Sequence, residues 1–246
     1  MANTLIKTSN QTIGRGRVLF KKTGESGYRD LGNCPDFAFS TTSETLKHFD
    51  SRSGVQVQDK EIVIRTEYGM SFTMDSINHE NLAMLLLGTA ATVAVAGATG
   101  ETFSFTDVTP GYTYDLGGRN VANVVVTGKT VDVDYTVDAA RGHIVILESG
   151  TITAGSTVAG TYDITAHSYD RTQSGGEAVE GTMLFIANNP EGDDVDYVIP
   201  DIKVTPNGDF NVKAQEWQSM SMQGAISVLD DGTPAITANG QPYTPA

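Results

Sequence analysis

The stretch that decides the fold runs from Lys60 to Gly88 and reads KEIVIRTEYGMSFTMDSINHENLAMLLLG. Two strand-like runs flank Gly69. In the first, Ile62, Ile64 and Thr66 alternate with Val63, Arg65 and Glu67. In the second, Phe72 and Met74 alternate with Ser71, Thr73 and Asp75. A period of two sends successive side chains to opposite faces, so the pair predicts a hairpin with one dry face and one wet face. The period turns helical at Ile77, Leu82, Leu85 and Leu86, which predicts one short helix docked through those residues. Asp75 or Ser76 can cap its start and Gly88 its end.

Upstream, GRGRVLFKK (14–22) reads as a first strand and YRDLG (28–32) as its return. DFAFSTTSETL (36–46) alternates along its whole length. KHFDSRSGVQVQD (47–59) is polar with a central glycine and predicts a long loop or hairpin tip. Downstream, NLAMLLLGTAATVAVAGATG carries no charge between Glu80 and Glu101. Its length approaches the roughly 20 residues of a membrane span. Glycines and threonines interrupt it, however, so it predicts a helix end followed by a small-residue connection, with no span. Residues 100–165 read as an inserted small β domain, with strands at 101–108, 112–116, 121–126, 131–137, 143–148 and 157–164. Residues 167–180 read as a polar link, and strands resume at 181–187, 195–204, 209–218 and 221–229. Residues 1–13 read as an N-terminal arm and 230–246 as a loose C-terminal tail. The β core is thus discontinuous, 14–99 and 166–229.

A chain of 246 residues can bury a real core, and its 26 glycines with recurrent Val and Thr favour short strands and tight turns. The formal net charge of −14 argues against tight contact with nucleic acid, since phosphate neutralisation needs Lys and Arg. The single cysteine, Cys34 in the turn GNCPD, has no activating neighbour and no partner for an intrachain disulfide. MANTLIKTSN lacks the basic start and apolar stretch of a signal peptide.

No residue earns a catalytic, cofactor-binding or metal-binding assignment. His48, His79, His143 and His167 lack partners at metal-ligand spacing. GATGET (97–102) has glutamate where a phosphate loop needs lysine. NNPEGDDVD (188–196) lacks the glycine and glutamate positions of an EF-hand loop and reads as a turn. The best acidic constellation is DVDYTVD, where a strand would put Asp132, Asp134, Thr136 and Asp138 on one face and valines on the other. Neighbours two apart lie roughly 6–7 Å from each other, a spacing that paired glycosidase carboxylates also show. Acid chemistry needs one carboxyl in an apolar pocket. The valines instead mark the acids as an outward, solvated face.

The order of elements resembles a family. A hairpin leads through LGNCPDFAFS to a polar loop, an alternating hairpin and a helix with ENLAMLLLG. After a β insert containing DYTVDAARGHIVI come EGTMLFIANN, an acidic turn, YVIPDIKVTPNGDFNVKAQEWQSMSMQGAISVL and a loose tail. This is similar to the tail tube protein, or major tail protein, of long-tailed bacteriophages. The resemblance implies a mainly β, tail-tube-like sandwich or barrel with one short α-helix and an inserted β domain. It implies a non-enzymatic virion protein, assembled in the host cytoplasm, whose copies build hexameric rings stacked into a hollow tube. Its partners would be further copies of itself and the tape measure, tail terminator and baseplate or tail-tip proteins, with DNA passing unbound through the lumen.

On this resemblance Ser40, Thr42, Glu44, Arg65, Glu67, Ser71, Thr73 and Asp75 would line the lumen, where an acidic wall lets phosphates slide. Lys47, His48, Asp50, Ser51, Arg52, Ser53 and Asp59 would contact the neighbouring ring. Two other readings compete. The insert suits a capsid decoration or host-attachment module, and Asp132 with Asp134 would be the acid pair of a glycan-cleaving enzyme.

Overall fold

A computed structural model describes residues 11–52 and 54–240. The protein is mainly β, and among the described residues there is one short helix and no barrel closes. The chain divides into two compact units, one formed up to Ala90 and from Thr172 onward, the other by Ala91–Arg171. The second unit is wider at both ends than the insert expected at 100–165.

The elements of the first unit begin with β1 (Gly16–Lys22), β2 (Arg29–Asp30), β3 (Asp36–Asp50), β4 (Val57–Met74) and α1 (His79–Leu85). The chain leaves along β5 (Thr89–Val95). The second unit holds β6 (Ala98–Val108), β7 (Thr113–Asp115), β8 (Val121–Val126), β9 (Tyr135–Asp138), β10 (His143–Ile146) and β11 (Ser156–Ile164). The chain returns along β12 (His167–Gln173), which pairs with β5. It ends with β13 (Val179–Ala187), β14 (Val195–Pro206), β15 (Met220–Ile226) and β16 (Thr237–Gly240).

The first unit is an antiparallel sheet in the order β2-β1-β13-β14-β15-β4-β3, with β16 also on β14. Alternation sets its dry side. Met70, Phe72 and Met74 of β4 oppose Gly224, Met222 and Met220 of β15, and all are buried. Met183, Ile199, Ile202 and Val204 extend the same core through β13 and β14. Each large side chain fully buried here contributes about 1.5–3 kcal/mol. Six methionines (70, 74, 84, 183, 220 and 222) are buried in the described residues. Their flexible thioethers suit the irregular interior of a curled sheet. The curl is real: Phe37 on the edge strand β3 stacks on Phe185 of β13, with centroids 5.4 Å apart.

The helix differs from its sequence pattern. Asn78 is the N-cap, its side chain accepting from the Asn81 amide, so neither Asp75 nor Ser76 caps it. The buried face is Asn81, Ala83, Met84 and Leu85, whereas Ile77 and Leu86 are exposed. Asn81 rotates the helix. Its Nδ2 donates to the Leu31 and Ser76 carbonyls at 2.9 Å each, and its Oδ1 accepts from the Arg29 guanidinium. Arg29 also meets Glu80 at 3.1 Å. Gly88 contributes to the helix end, donating to the Ala83 carbonyl at 2.8 Å, but Leu87 takes the left-handed conformation. Asn81→Ala should orphan the buried Leu31 carbonyl and the part-buried Ser76 carbonyl and cost about 1–3 kcal/mol, seen as a lower melting temperature of the first unit.

The second unit packs two three-stranded antiparallel sheets, β7-β10-β9 and β6-β11-β8. Val108, Ile144 and Ile146 are fully buried between them. Tyr135 of β9 ties the sheets, accepting from the Val126 amide and donating to the Val124 carbonyl at 3.2 Å each.

Other expectations fail locally. The supposed strand over 131–137 is a turn up to Asp134, with Asp132 at φ +64°. The supposed strand 209–218 is irregular. The polar link 167–180 and the small-residue connection after Gly88 instead supply β12 and β5. The C-terminal tail yields β16, and its last residues, 241–246, lie outside the described residues, as do 1–10 of the N-terminal arm. Among the described residues no helix is long and apolar enough to cross a membrane.

Candidate assembly face

The β3–β4 hairpin places the side chains singled out above. In register, Ser40 faces Gly69, Thr42 faces Glu67, and Glu44 faces Arg65; further down, Ala38 faces Ser71 and Asp36 faces Thr73. Directly opposed residues share a sheet face, so Ser40, Thr42, Glu44, Arg65, Glu67, Ser71 and Thr73 all lie on one side. The side opposite is the methionine-rich core. Asp75 falls past the end of β4, where Asn33 Nδ2 donates to its carboxylate at 2.5 Å, so it holds a turn and is no sheet residue.

The polar face continues across three more strands. Ser221 and Gln223 of β15 face Thr73 and Ser71; Lys203 and Thr205 of β14 face Ala225 and Gln223; and Glu180 of β13 faces Lys203. A shallow groove of about 680 Å³ runs along it, lined by Thr42, Arg65, Glu67, Lys203 and Gln223. Reading the hairpin alone misses β13 to β15. Their signal is nevertheless present, in Ser221 and Gln223 alternating with buried methionines and in Lys203 and Thr205 alternating with Ile202 and Val204.

The two cations of this face are both neutralised on it. Arg65 pairs with Glu67, and Lys203 lies 3.2 Å from Glu180. Exposed pairs of this kind contribute about 0–1 kcal/mol each. Asp36 and Glu44 remain without an ion pair among the described residues, so the face is net negative.

Beyond Tyr68 the hairpin outgrows its sheet. β15 pairs β4 only from Tyr68 to Met74, so among the described residues 57–67 has β3 as its sole neighbour. The connection is short, 51–56, because β3 runs to Asp50 and β4 starts at Val57. The expected long loop 47–59 is therefore mostly ladder. Lys47, His48 and Asp50 belong to β3, Asp59 to β4, and Ser51 and Arg52 to the connection; Ser53 lies outside the described residues.

The charges proposed for a neighbouring ring are already paired within the hairpin. Lys47 meets Glu61 at 4.0 Å, His48 meets Asp59, and Arg52 meets Asp50 at 2.6 Å. The ribbon also leaves apolar side chains uncovered: Leu46, Phe49, Val57, Ile62, Val63 and Ile64 are all exposed. The expected single dry face is absent because register shifts interrupt the pairing. Arg65 faces Glu44 but Val63 faces Thr45, leaving Ile64 as an extra residue. This bulge transfers Val63 to the face opposite Arg65 and brings Ile62 with Leu46 onto the polar side.

The chemical alternatives lose their geometry. Asp134 is buried, 4% exposed, and points inward while Val131 and Val133 face solvent, the reverse of the expected strand. Its carboxylate accepts from the Thr130 amide at 2.8 Å and from the Thr151 amide and hydroxyl at 2.7 and 2.8 Å. Those hydrogen bonds, led by the Thr130 amide, hold it down to about 2. A general acid needs the opposite shift. The folded carboxyl thus titrates below the ordinary Asp value of about 3.9. Its stabilisation is complete above that value and fades as pH falls towards 2. Asp134→Asn should lower the melting temperature of the second unit by several degrees at pH 7 and flatten its decline between pH 4 and 2. Cys34 is pushed up to about 12 by burial, then by Asp30 and Asp75, so it is no nucleophile. The described residues contain no His/Cys/Asp/Glu group able to hold a metal ion.

The fold and face define a β-sheet protein with a projecting two-stranded ribbon. The chain belongs to the family described as "Protein of unknown function UCP028589", whose model matches residues 11–243. No curated protein matches it.

Proposed function

We propose that this protein is the tube-forming subunit of a phage tail, a structural virion protein whose copies join through their sheets into stacked rings around a lumen. The observation that carries the reading is the ribbon formed by 41–50 and 57–68. A two-stranded hairpin is marginal in water on its own, and this one exposes apolar side chains on both faces along an unpaired edge. Contact with further copies supplies the missing neighbours on both counts. The polar face of β3, β4, β15 and β14 becomes the wall of the lumen. Glu44, without an ion pair among the described residues, adds negative charge that repels DNA phosphates, so the duplex passes without adhering.

Sedimentation velocity over a rising concentration series tests the reading. Cooperative growth from monomer to one large species is expected. A single monomer peak at every concentration contradicts it.

A further inference from the structure

We propose that Trp217 of one copy seats in the aromatic cavity at the start of β3 in a second copy. This contact rests on the self-assembly proposed above and names one of its anchors.

Trp217 is the sole tryptophan of the chain and is 97% exposed. It stands on a loop closed upon itself, because Gln218 Nε2 donates to the Asn211 and Val212 carbonyls at 3.2 and 2.9 Å. An indole held fully in water on a preorganised loop is the usual form of an interface anchor before its partner arrives. Its receptor is a cavity of about 620 Å³ lined by Cys34, Phe37, Phe39, Phe185 and Tyr197. The four rings are mutually packed, with Phe37–Phe39 at 5.3 Å, Phe37–Phe185 at 5.4 Å and Phe39–Tyr197 at 5.4 Å, yet all are only partly buried. Such a cluster offers an indole both stacked and edge-on contacts.

The charges at the two sites match. Lys213 and Glu216 flank the tryptophan, and Arg15 and Asp36 flank the cavity. Among the described residues none of the four is in an ion pair. Docking sets Glu216 towards Arg15 and Lys213 towards Asp36. Trp217 sits with Asp75, Ile77 and Gln218, none of which lines the aromatic cavity, so donor and receptor are different patches. Such a heterologous contact propagates from copy to copy, as a ring requires.

The lone tryptophan makes its own reporter. Emission and acrylamide quenching of the full chain should be water-like when monomeric. On assembly the emission should shift to the blue, with quenching reduced several-fold. Trp217→Ala should raise the assembly threshold roughly thirty-fold, as a central aromatic anchor does. Gly14 lines the cavity and a Cβ placed there meets nothing within 4 Å, so Gly14→Phe sets a ring at its mouth to block entry. It should raise the threshold similarly, and the double variant should be no worse than either single one. Assembly in which Trp217 stays water-exposed, or in which the two substitutions simply add, overturns this contact and leaves the tube reading standing. Absence of any assembly overturns both.

Discussion

Lysine at both Leu46 and Ile62 should leave a folded monomer that no longer assembles. The two residues face each other across the ribbon and are 58% and 46% exposed, so the isolated subunit loses almost no packing. Changes at exposed positions of this kind usually stay within about 0.5 kcal/mol of the parent. In the proposed assembly another copy covers the same pair. Burying each aliphatic side chain is worth about 1.5–3 kcal/mol, so losing both removes about 3–6 kcal/mol per contact. That corresponds to a loss of roughly two to four powers of ten in affinity. Circular dichroism and melting should match the parent protein, while sedimentation shows monomer where the parent assembles.

Gly142→Ala should unfold the second unit far below its normal temperature and leave the first unit in place. Gly142 lies in the turn from β9 to β10 at φ +73°, and a Cβ there would fall 1.6 Å from the Gly118 carbonyl oxygen. Left-handed backbone costs a non-glycine residue about 1–2 kcal/mol, and forcing two turns apart adds about 1–3 kcal/mol. The sum, about 2–5 kcal/mol, is a large share of a small domain's stability, and each kcal/mol moves its melting point by about 4–8 °C. Gly128 is the control. It has φ +70° but open space around its Cβ, so Gly128→Ala should cost only about 1–2 kcal/mol. Calorimetry should show one transition falling steeply in the first variant, slightly in the second, with the other transition unmoved in both.

Much of the fold is written in periodicity. The alternations Phe72–Met74, Ile202–Val204 and Met220–Met222 place strands and core faces directly, because those segments are anchored against neighbours on both sides. Periodicity fails where one residue is added or where polar sequence still pairs. Ile64 shifts the register of an otherwise regular run, so a strict count assigns Val63 and Ile62 to the wrong faces. β12 and β16 are polar and short, stabilised by ladder hydrogen bonds that leave little apolar pattern. The Asp134 turn mimics a strand because valines alternate with acids there, yet three donors from Thr130 and Thr151 draw the carboxylate inward. The polar sheet face is legible in its β3–β4 half. Its β14–β15 half depends on which strands become neighbours, which the local pattern does not encode.

Electron microscopy of the purified full-length chain at high concentration tests the central claim most directly. The account predicts rings and stacked tubes of one uniform bore, with end-on views showing an open centre surrounded by a repeated subunit. Uniformly monomeric particles, or solid aggregates without a lumen, would contradict it.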